Sequence, residues 1–136
     1  MVALTNQIVP LARTYHASCL VGRFMIVLGG EAALLADLQD VWALDLETAR
    51  WIQLTFTNME AFHAKRFHTA SAVSQNRVVS FGGCHSEYIH LNDVNIFDLS
   101  GFISKGDPHI TCEKVNFGNQ KVPSSRWGHT ASVYQD

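Results

Sequence analysis

The chain has 136 residues, of which 47% are hydrophobic and 16% are charged. This composition is typical of a globular domain and excludes a disordered chain or a coiled coil. The formal net charge of −2 shows no basic excess, so we expect no nucleic-acid partner. Apolar runs such as 24–28 are too short to cross a bilayer, so we expect no membrane partner either.

The first predicted element is a short strand that recurs after a basic residue and a histidine. The segments 13–16, 65–68 and 126–129 each begin with Arg or Lys and end with His. A run of Ala, Ser and Thr follows each histidine, which predicts an inner strand that is crowded by its neighbours. The residues that define this landmark are Arg13, His16, Lys65, His68, Arg126 and His129.

The second predicted element is an apolar strand that ends in a glycine pair, at 24–30 and again at 78–83. The paired glycines are Gly29, Gly30, Gly82 and Gly83. Gly reaches positive φ without steric cost, so the pairs predict turns. Neither pair opens a helix, and phosphate binding is therefore not expected.

The third and fourth predicted strands complete each unit. An Asp-Val dipeptide opens an alternating segment ten residues after each glycine pair, at Asp40 and at Asp93. The fourth segment contains Trp51 in the first unit and Cys112 in the second. The spacings agree between the units, apart from nine additional residues in the second, eight of them between Asp98 and Cys112. Four short strands at a period near 50 are typical of a β-propeller blade.

These landmarks resemble the kelch repeat over nearly the whole chain. The resemblance implies an all-β fold, a kelch-type β-propeller with four-stranded antiparallel blades. The chain is expected to form an incomplete arc, whose remaining blades lie in the same chain or in another one. The predicted parts are the end of a preceding blade with its linker (1–12), a blade (13–64), a blade with an insertion at about 100–111 (65–125), and the first strand of a following blade (126–136).

The resemblance implies a protein-interaction module or scaffold that presents loops to a partner protein or peptide, and not an enzyme. Kelch substrate adaptors of ubiquitin ligases bind partner peptides in this way, but the identity of the partner stays open here. In an antiparallel meander, the hairpin loops 31–39 and 84–92 share a face with the connecting loops 55–64 and 116–125. We name this surface the loop face. The candidate partner-binding residues on it are Glu31, Asp37, Gln39, His63, Cys84, His85, Ser86, Glu87, Tyr88, His90 and Asn92.

The charges of the loop face suggest the kind of partner. Glu31, Asp37 and Glu87 are three carboxylates, and the basic residues nearby are few: Lys65, Arg66 and Lys121. This favours a neutral or basic peptide over an acidic one. The alternative is that these are ordinary solvated loop residues.

The repeated histidines are expected to be structural, because successive blades hold them apart around the axis. Each would form a hydrogen bond near the start of an inner strand. The basic residues that precede them are expected to bridge neighbouring blades through the repeated acids Asp45 and Asp98.

The sequence also allows a second class of function. The segment 84–90 holds a thiol, two imidazoles and a carboxylate, which are possible zinc or copper ligands. Its spacing matches no standard metal motif, so no metal and no cofactor are predicted. The alternative is a catalytic, metal-binding or small-molecule-binding propeller of the galactose-oxidase type, for which Cys84 and Tyr88 are a slight basis.

The three cysteines, Cys19, Cys84 and Cys112, are an odd number without a close pair. They indicate no disulfide framework and no zinc knuckle. The interpretation is three reduced thiols in an intracellular protein, either cytoplasmic or nuclear. The N-terminus shows no charged segment followed by an apolar one, so no secretory signal is expected.

Overall fold

A computed structural model of the chain describes residues 7–86 and 89–134. In the first unit, four strands form an antiparallel sheet, and a small two-stranded hairpin lies between the second and third of them. Residues 33–35 at the tip of the hairpin and Met59–Ala61 form 3-10 turns. In chain order the strands are β1 (Ala17–Val21), β2 (Phe24–Leu28), the hairpin strands β3 (Glu31–Ala32) and β4 (Ala36–Asp37), β5 (Val41–Asp45) and β6 (Arg50–Leu54).

The second unit repeats this arrangement and adds a short helix before its last strand. The two antiparallel sheets do not close into a ring, and the nearly all-β architecture confirms the predicted fold class. No helix in the described part of the chain is long and apolar enough to span a membrane. The elements are β7 (Thr69–Ala72), β8 (Arg77–Phe81), the hairpin strands β9 (Cys84–His85) and β10 (Ile89–His90), β11 (Val94–Asp98), α1 (Ser100–Lys105) and β12 (Thr111–Lys114).

The first strands of the two units lie side by side. β1 packs against β7, and the Phe67 N–H donates a hydrogen bond to the Tyr15 carbonyl at 3.0 Å. Small side chains allow this close approach between blades. The segment 126–134, predicted to begin a following blade, pairs with no strand among the described residues.

The hydrophobic core lies between the two sheets and is closed by the first connecting loop. The Phe62 side chain from that loop is fully buried, and its ring centroid lies 5.1 Å from that of Phe97 on β11. Leu28 and Val41 of the first sheet are also fully buried. Each such side chain contributes about 1.5–3 kcal/mol when it leaves water, so the loop is part of the core.

The joint between the blades is built on a glycine. Gly29 adopts φ +56°, and a Cβ added to it would lie 2.8 Å from the Lys65 carbonyl oxygen and 3.0 Å from Cε1 of His68. The next residue, Gly30, donates its N–H to the Lys65 carbonyl at 2.8 Å. The buried His68 ring reaches back across the joint, with Nε2 3.0 Å from the Leu28 carbonyl oxygen. Any side chain at the first glycine would therefore push the blades apart.

The same joint recurs at the end of the second blade. Gly82 adopts φ +66°, and an added Cβ would lie 2.6 Å from the Arg126 carbonyl oxygen and 2.7 Å from Cε1 of His129. Gly83 donates its N–H to the Arg126 carbonyl at 2.9 Å. The repetition shows that the glycine pair and the histidine of the next repeat form one packing unit.

The insertion in the second unit crosses to the first. Phe102 on α1 is 3% exposed, and its ring centroid lies 4.7 Å from that of Phe24 at the start of β2. The Thr55 N–H donates to the Pro108 carbonyl at 2.9 Å, and the Ile110 N–H donates to the Thr55 carbonyl at 2.8 Å. The insertion predicted at about 100–111 thus links the two blades.

Replacing Phe102 by Ala is expected to lower the free energy of unfolding by about 3–5 kcal/mol, because the lost ring leaves a cavity between the blades. The control is Ile103→Ala on the same helix, where the side chain is 38% exposed and we expect a loss of about 1 kcal/mol. Urea denaturation followed by circular dichroism measures both. Equal losses would show that the helix does not link the blades.

The buried His68 predicts an acid-sensitive joint. Burial, together with the charge of Lys65, lowers the pKa of His68 from 6.5 to about 3. Below pH 6.5, His68 therefore binds a proton in the unfolded chain but stays neutral in the folded chain. The contribution of His68 to the free energy of unfolding is complete above pH 6.5. It decreases as the pH falls toward 3, by up to about 1.4 kcal/mol per pH unit.

The measurement compares the free energy of unfolding of the native chain and of His68→Gln between pH 7 and pH 4.5. The difference in free energy of unfolding between the native chain and His68→Gln should decrease as the pH falls. His16→Gln, at the exposed histidine of the first repeat, should keep the pH slope of the native chain. Parallel curves for the native chain and His68→Gln would contradict the role of His68.

Candidate functional site

Hydrogen bonds join the first hairpin loop and the second hairpin loop to the connecting loop between the blades. The Gln39 side-chain amide donates to the Phe62 carbonyl at 2.6 Å. His85 Nδ1 lies 2.7 Å from the Ala64 carbonyl oxygen, so the ring donates from this atom. Two of the predicted partner-binding residues therefore hold the loops in place.

The other predicted residues of the loop face form a second set of contacts. The Asn92 amide donates to the Pro123 carbonyl at 3.2 Å, which joins the second hairpin loop to the second connecting loop. His63 Nε2 lies 3.6 Å from a carboxylate oxygen of Asp93, and its ring centroid lies 5.8 Å from that of His85. The structure thus brings the four loops together. Glu87 and Tyr88, also predicted here, lie outside the described residues.

An ion cluster connects the two hairpin loops. The Arg66 guanidinium lies 2.6 Å from a Glu31 carboxylate oxygen and 2.8 Å from an Asp37 oxygen. Asp37 also accepts the Ser86 N–H at 2.6 Å. Burial alone would lower the pKa of Arg66, but the charges of Asp37 and Glu31 outweigh burial, and its pKa lies above the ordinary value. The predicted acids Glu31 and Asp37 thus act together on one cation.

Three aromatic rings lie in a row at the inner end of the blades, and we name them the aromatic stair. Tyr15 stacks on Phe67 with ring centroids 4.1 Å apart, and Phe67 contacts Trp127 at 5.1 Å. The indole N–H of Trp127 donates to His90 Nε2 at 2.9 Å. Tyr15 is 51% exposed and Trp127 is 45% exposed. The stair is therefore an ordered aromatic surface that solvent reaches.

The backbone beneath the aromatic stair is left-handed. Tyr15 and Phe67 both have φ +58°, and Gly128, the third residue that precedes a repeat histidine, has φ +67°. Glycine fits this conformation, whereas a bulky residue is strained there by about 1–3 kcal/mol. Sequence reasoning missed the stair because it followed only the basic residue and the histidine. The available signal was the aromatic residue directly before His in two of three repeats.

An open cavity of about 570 Å³ lies between the aromatic stair and the ion cluster. Leu35 of the first hairpin loop lines the cavity, and the hairpin loops carry two further exposed apolar side chains, with Leu34 99% exposed and Ile89 56% exposed. An aromatic wall and a set of fixed charges suit the binding of a peptide side chain. The residues that line the cavity are Tyr15, Glu31, Leu35, Arg66, Phe67, Ser86 and Trp127.

Lys65 does not belong to this surface, although it was counted among the basic residues near it. Its side chain is fully buried, and Nζ donates to the Asn95 side-chain oxygen at 3.0 Å and lies 4.9 Å from the centre of the Phe62 ring. Burial lowers the pKa of Lys65 to about 8, although the charge of Asp93 opposes this. The side chain is therefore a component of the core between the blades.

The expected bridges between blades through Asp45 and Asp98 are wrong. Arg13 forms a bidentate salt bridge with Asp40 of its own blade, with nitrogen–oxygen distances of 2.6 and 2.9 Å. Asp45 contacts Arg23 at 3.1 Å, and Asp98 lies 3.8 Å from the β8 arginine. Each acid therefore pairs inside its own sheet, because neighbouring strands bring these side chains closer than neighbouring blades do.

Ser86, which lines the cavity, lies beside His85 and Asp37, and these three residue types invite comparison with a hydrolase. Ser86 Oγ lies 3.4 Å from His85 Nε2, and Asp37 lies 4.0 Å from His85 Nδ1. However, Nδ1 donates to a backbone carbonyl, and the carboxylate is engaged by Arg66. The base is therefore not oriented by the acid as nucleophilic catalysis requires.

The thiols and imidazoles are dispersed. Cys84 is 1% exposed, and burial raises the pKa of Cys19 to about 11 and that of Cys112 to about 12. Such thiols are poor nucleophiles at neutral pH. Within 7–86 and 89–134, no group of three His, Cys, Asp or Glu side chains could hold a metal ion.

Comparison with known proteins agrees with the geometry. The model of the KLHDC2/KLHL20/DRC7 Kelch-repeats domain matches residues 2–136. Kelch domain-containing protein 3 of Rattus norvegicus is 32% identical over 135 residues, which is 93% of this chain and 32% of that protein. Adagio protein 3 of Arabidopsis thaliana is 29% identical over 128 residues, which is 93% of this chain and 19% of that protein.

A third relative carries a different kind of name. The tRNA wybutosine-synthesizing protein 2/3/4 of Arabidopsis thaliana is 37% identical over 89 residues, which is 65% of this chain and 9% of that protein. The chain thus spans less than a third of the length of each of these three relatives. The repeats, the blade joints and the match along residues 2–136 lead to one conclusion: the chain belongs to the kelch-repeat family.

Proposed function

We propose that the chain is a protein-interaction part of a kelch propeller and that its loop face binds a partner protein or peptide. Membership of the kelch-repeat family, with kelch domain-containing and adagio relatives, supports an interaction module. The observation that carries the proposal is the aromatic stair, in which Tyr15 and Trp127 stay about half-exposed and Tyr15 and Phe67 have a strained left-handed backbone. Strain of this kind is retained where a site requires a fixed geometry.

The exposed apolar side chains of the hairpin loops support the same proposal. Leu34, Leu35 and Ile89 project from the two hairpin loops and are 99%, 77% and 56% exposed. Exposed apolar side chains on loops of a rigid scaffold are typical of surfaces that a partner covers. We propose that the chain itself is not catalytic and works inside the cell, in the cytoplasm or nucleus, which its three free thiols favour. The specific interaction role that we propose is that of a substrate adaptor.

The loop-face proposal is tested with matched substitutions on opposite faces. Leu34→Ser, Leu35→Ser and Ile89→Ser remove apolar contacts from the loop face, and we expect each to weaken binding of an isolated partner severalfold and their combination at least tenfold. Leu46→Ser, at a 54% exposed leucine on the opposite face, is the control and should bind within twofold of the native chain. Isothermal titration with a partner identified by affinity capture gives these values. Full affinity in the combined variant would refute the loop-face proposal.

We further propose that the open side of the first blade is covered by other blades, in the same chain or in another one. His16 has the place in the first blade that the buried His68 has in the second, yet it is exposed. A cavity of about 450 Å³ lies beside it, lined by Val9, Leu11 and Trp51 among others. The equivalent side of the second blade packs against the end of β2, at Leu28 and Gly29. Another blade would fit in the same way against the open side of the first blade.

The covering of the first blade predicts that the 136-residue chain associates in solution. We expect native mass spectrometry to show association with further blades or with further copies of the chain. Leu11→Asp, at a 66% exposed leucine on the open side, should weaken the association at least tenfold, and Leu46→Asp on the opposite rim should not. A stable, soluble monomer would refute this proposal.

A further inference from the structure

The ion cluster beside the cavity has an excess of negative charge. Two carboxylates, Glu31 and Asp37, lie against the one guanidinium of Arg66, which leaves one negative charge in the described part of the cluster. The described residues of the four loops add the exposed Glu60 and the exposed Lys121, whose charges offset each other, so the excess comes from Glu31 and Asp37. A cationic side chain that enters the cavity therefore meets a complementary potential.

The aromatic stair offers a cation the second feature that it needs. Tyr15 and Trp127 stand at the two ends of the stair and are 51% and 45% exposed, while Phe67 lies between them. A guanidinium or ammonium group over the face of Trp or Tyr is attracted by the negative charge density of the ring face. The aliphatic part of the same side chain can lie along Leu35, which also lines the cavity.

From these contacts we propose that the cavity is a subsite for an arginine or lysine side chain of the bound partner segment. The cation lies on the aromatic stair, and the charge excess around Glu31 balances it. This inference rests on the proposed function, because it specifies the partner that the loop face binds. It predicts preference for a basic segment over a neutral one, and for a neutral segment over an acidic one.

Arg66 is the feature of the cavity that would favour an acidic partner instead. Its guanidinium already contacts Glu31 at 2.6 Å and Asp37 at 2.8 Å. An incoming carboxylate would have to displace one of them and would face the repulsion of both. The geometry therefore favours the cation, and an acidic preference is an outcome that the experiment can detect.

The test uses hexapeptides of sequence Gly-Ser-Gly-X-Gly-Ser with acetylated and amidated ends, in which X is Arg, Lys, Gln or Glu. The ¹⁵N-labelled chain is titrated with each peptide, and the Trp127 indole signal is followed, with those of Trp42 and Trp51 as internal references. We expect the Arg peptide to shift the Trp127 signal with a dissociation constant at least fivefold below that of the Gln peptide, and the Glu peptide to bind most weakly.

Substitutions test whether the cation binds within the cavity. Tyr15→Leu and Glu31→Gln should each raise the dissociation constant of the Arg peptide at least threefold, whereas Tyr15→Phe, which keeps the ring, should restore the native value. Tyr134→Leu is the matched control, since this tyrosine is 87% exposed and does not line the cavity. The dispersion of each spectrum shows that the variant is folded.

Three results would overturn the inference: equal affinity for the Arg and Gln peptides, a preference for the Glu peptide, or Arg affinity that is unchanged in Tyr15→Leu. Failure here is distinguishable from failure of the proposed function. If an isolated partner loses affinity in the Leu34, Leu35 and Ile89 variants but its basic residues can be replaced by Gln without effect, the loop face binds partners and only the cation subsite is wrong.

Discussion

The contact between a glycine pair and the histidine of the next repeat determines how one blade lies against another. At Gly29 there is no space for a Cβ, because the Lys65 carbonyl and the His68 ring occupy it, and the same holds at Gly82. The histidine ring then reaches the Leu28 carbonyl at the end of β2. Burial keeps that ring neutral, so the joint combines close packing with a hydrogen bond that a charged imidazole would disturb.

The joint also positions the candidate binding surface. The residue before each repeat histidine has a positive φ, and in the first two repeats it is aromatic, Tyr15 and Phe67. The left-handed backbone stacks these rings at 4.1 Å beside the ion cluster of Arg66. The element that holds the blades together and the element that faces a partner are therefore adjacent in the chain. A change at the joint is expected to disturb binding as well as stability.

The two units are not equivalent, and their differences strengthen the link between them. The second unit carries the insertion with α1, whose Phe102 ring packs on Phe24 of the first blade. It also begins with Lys65, whose ammonium group is buried between the blades and held by Asn95. A buried lysine is unfavourable unless it is hydrogen-bonded, and its lowered pKa reflects that burial. The loss of the fourth-strand Trp at Cys112 is accompanied by these other contacts between the blades.

The amino-acid sequence by itself determined the repeat, the four strands of each blade, the glycine turns and the loops that meet on one face. These features follow from local backbone requirements and alternation, which recur in register and can be read by comparing the two units. Tertiary structure alone decided that Lys65 is buried, that Arg13 pairs with Asp40, and that Arg66 joins the two hairpin loops. It also decided that Phe102 crosses to the first blade. The reason is physical: partners some 20 to 80 residues apart are chosen by how strands, loops and blades pack, and no local pattern encodes those distances.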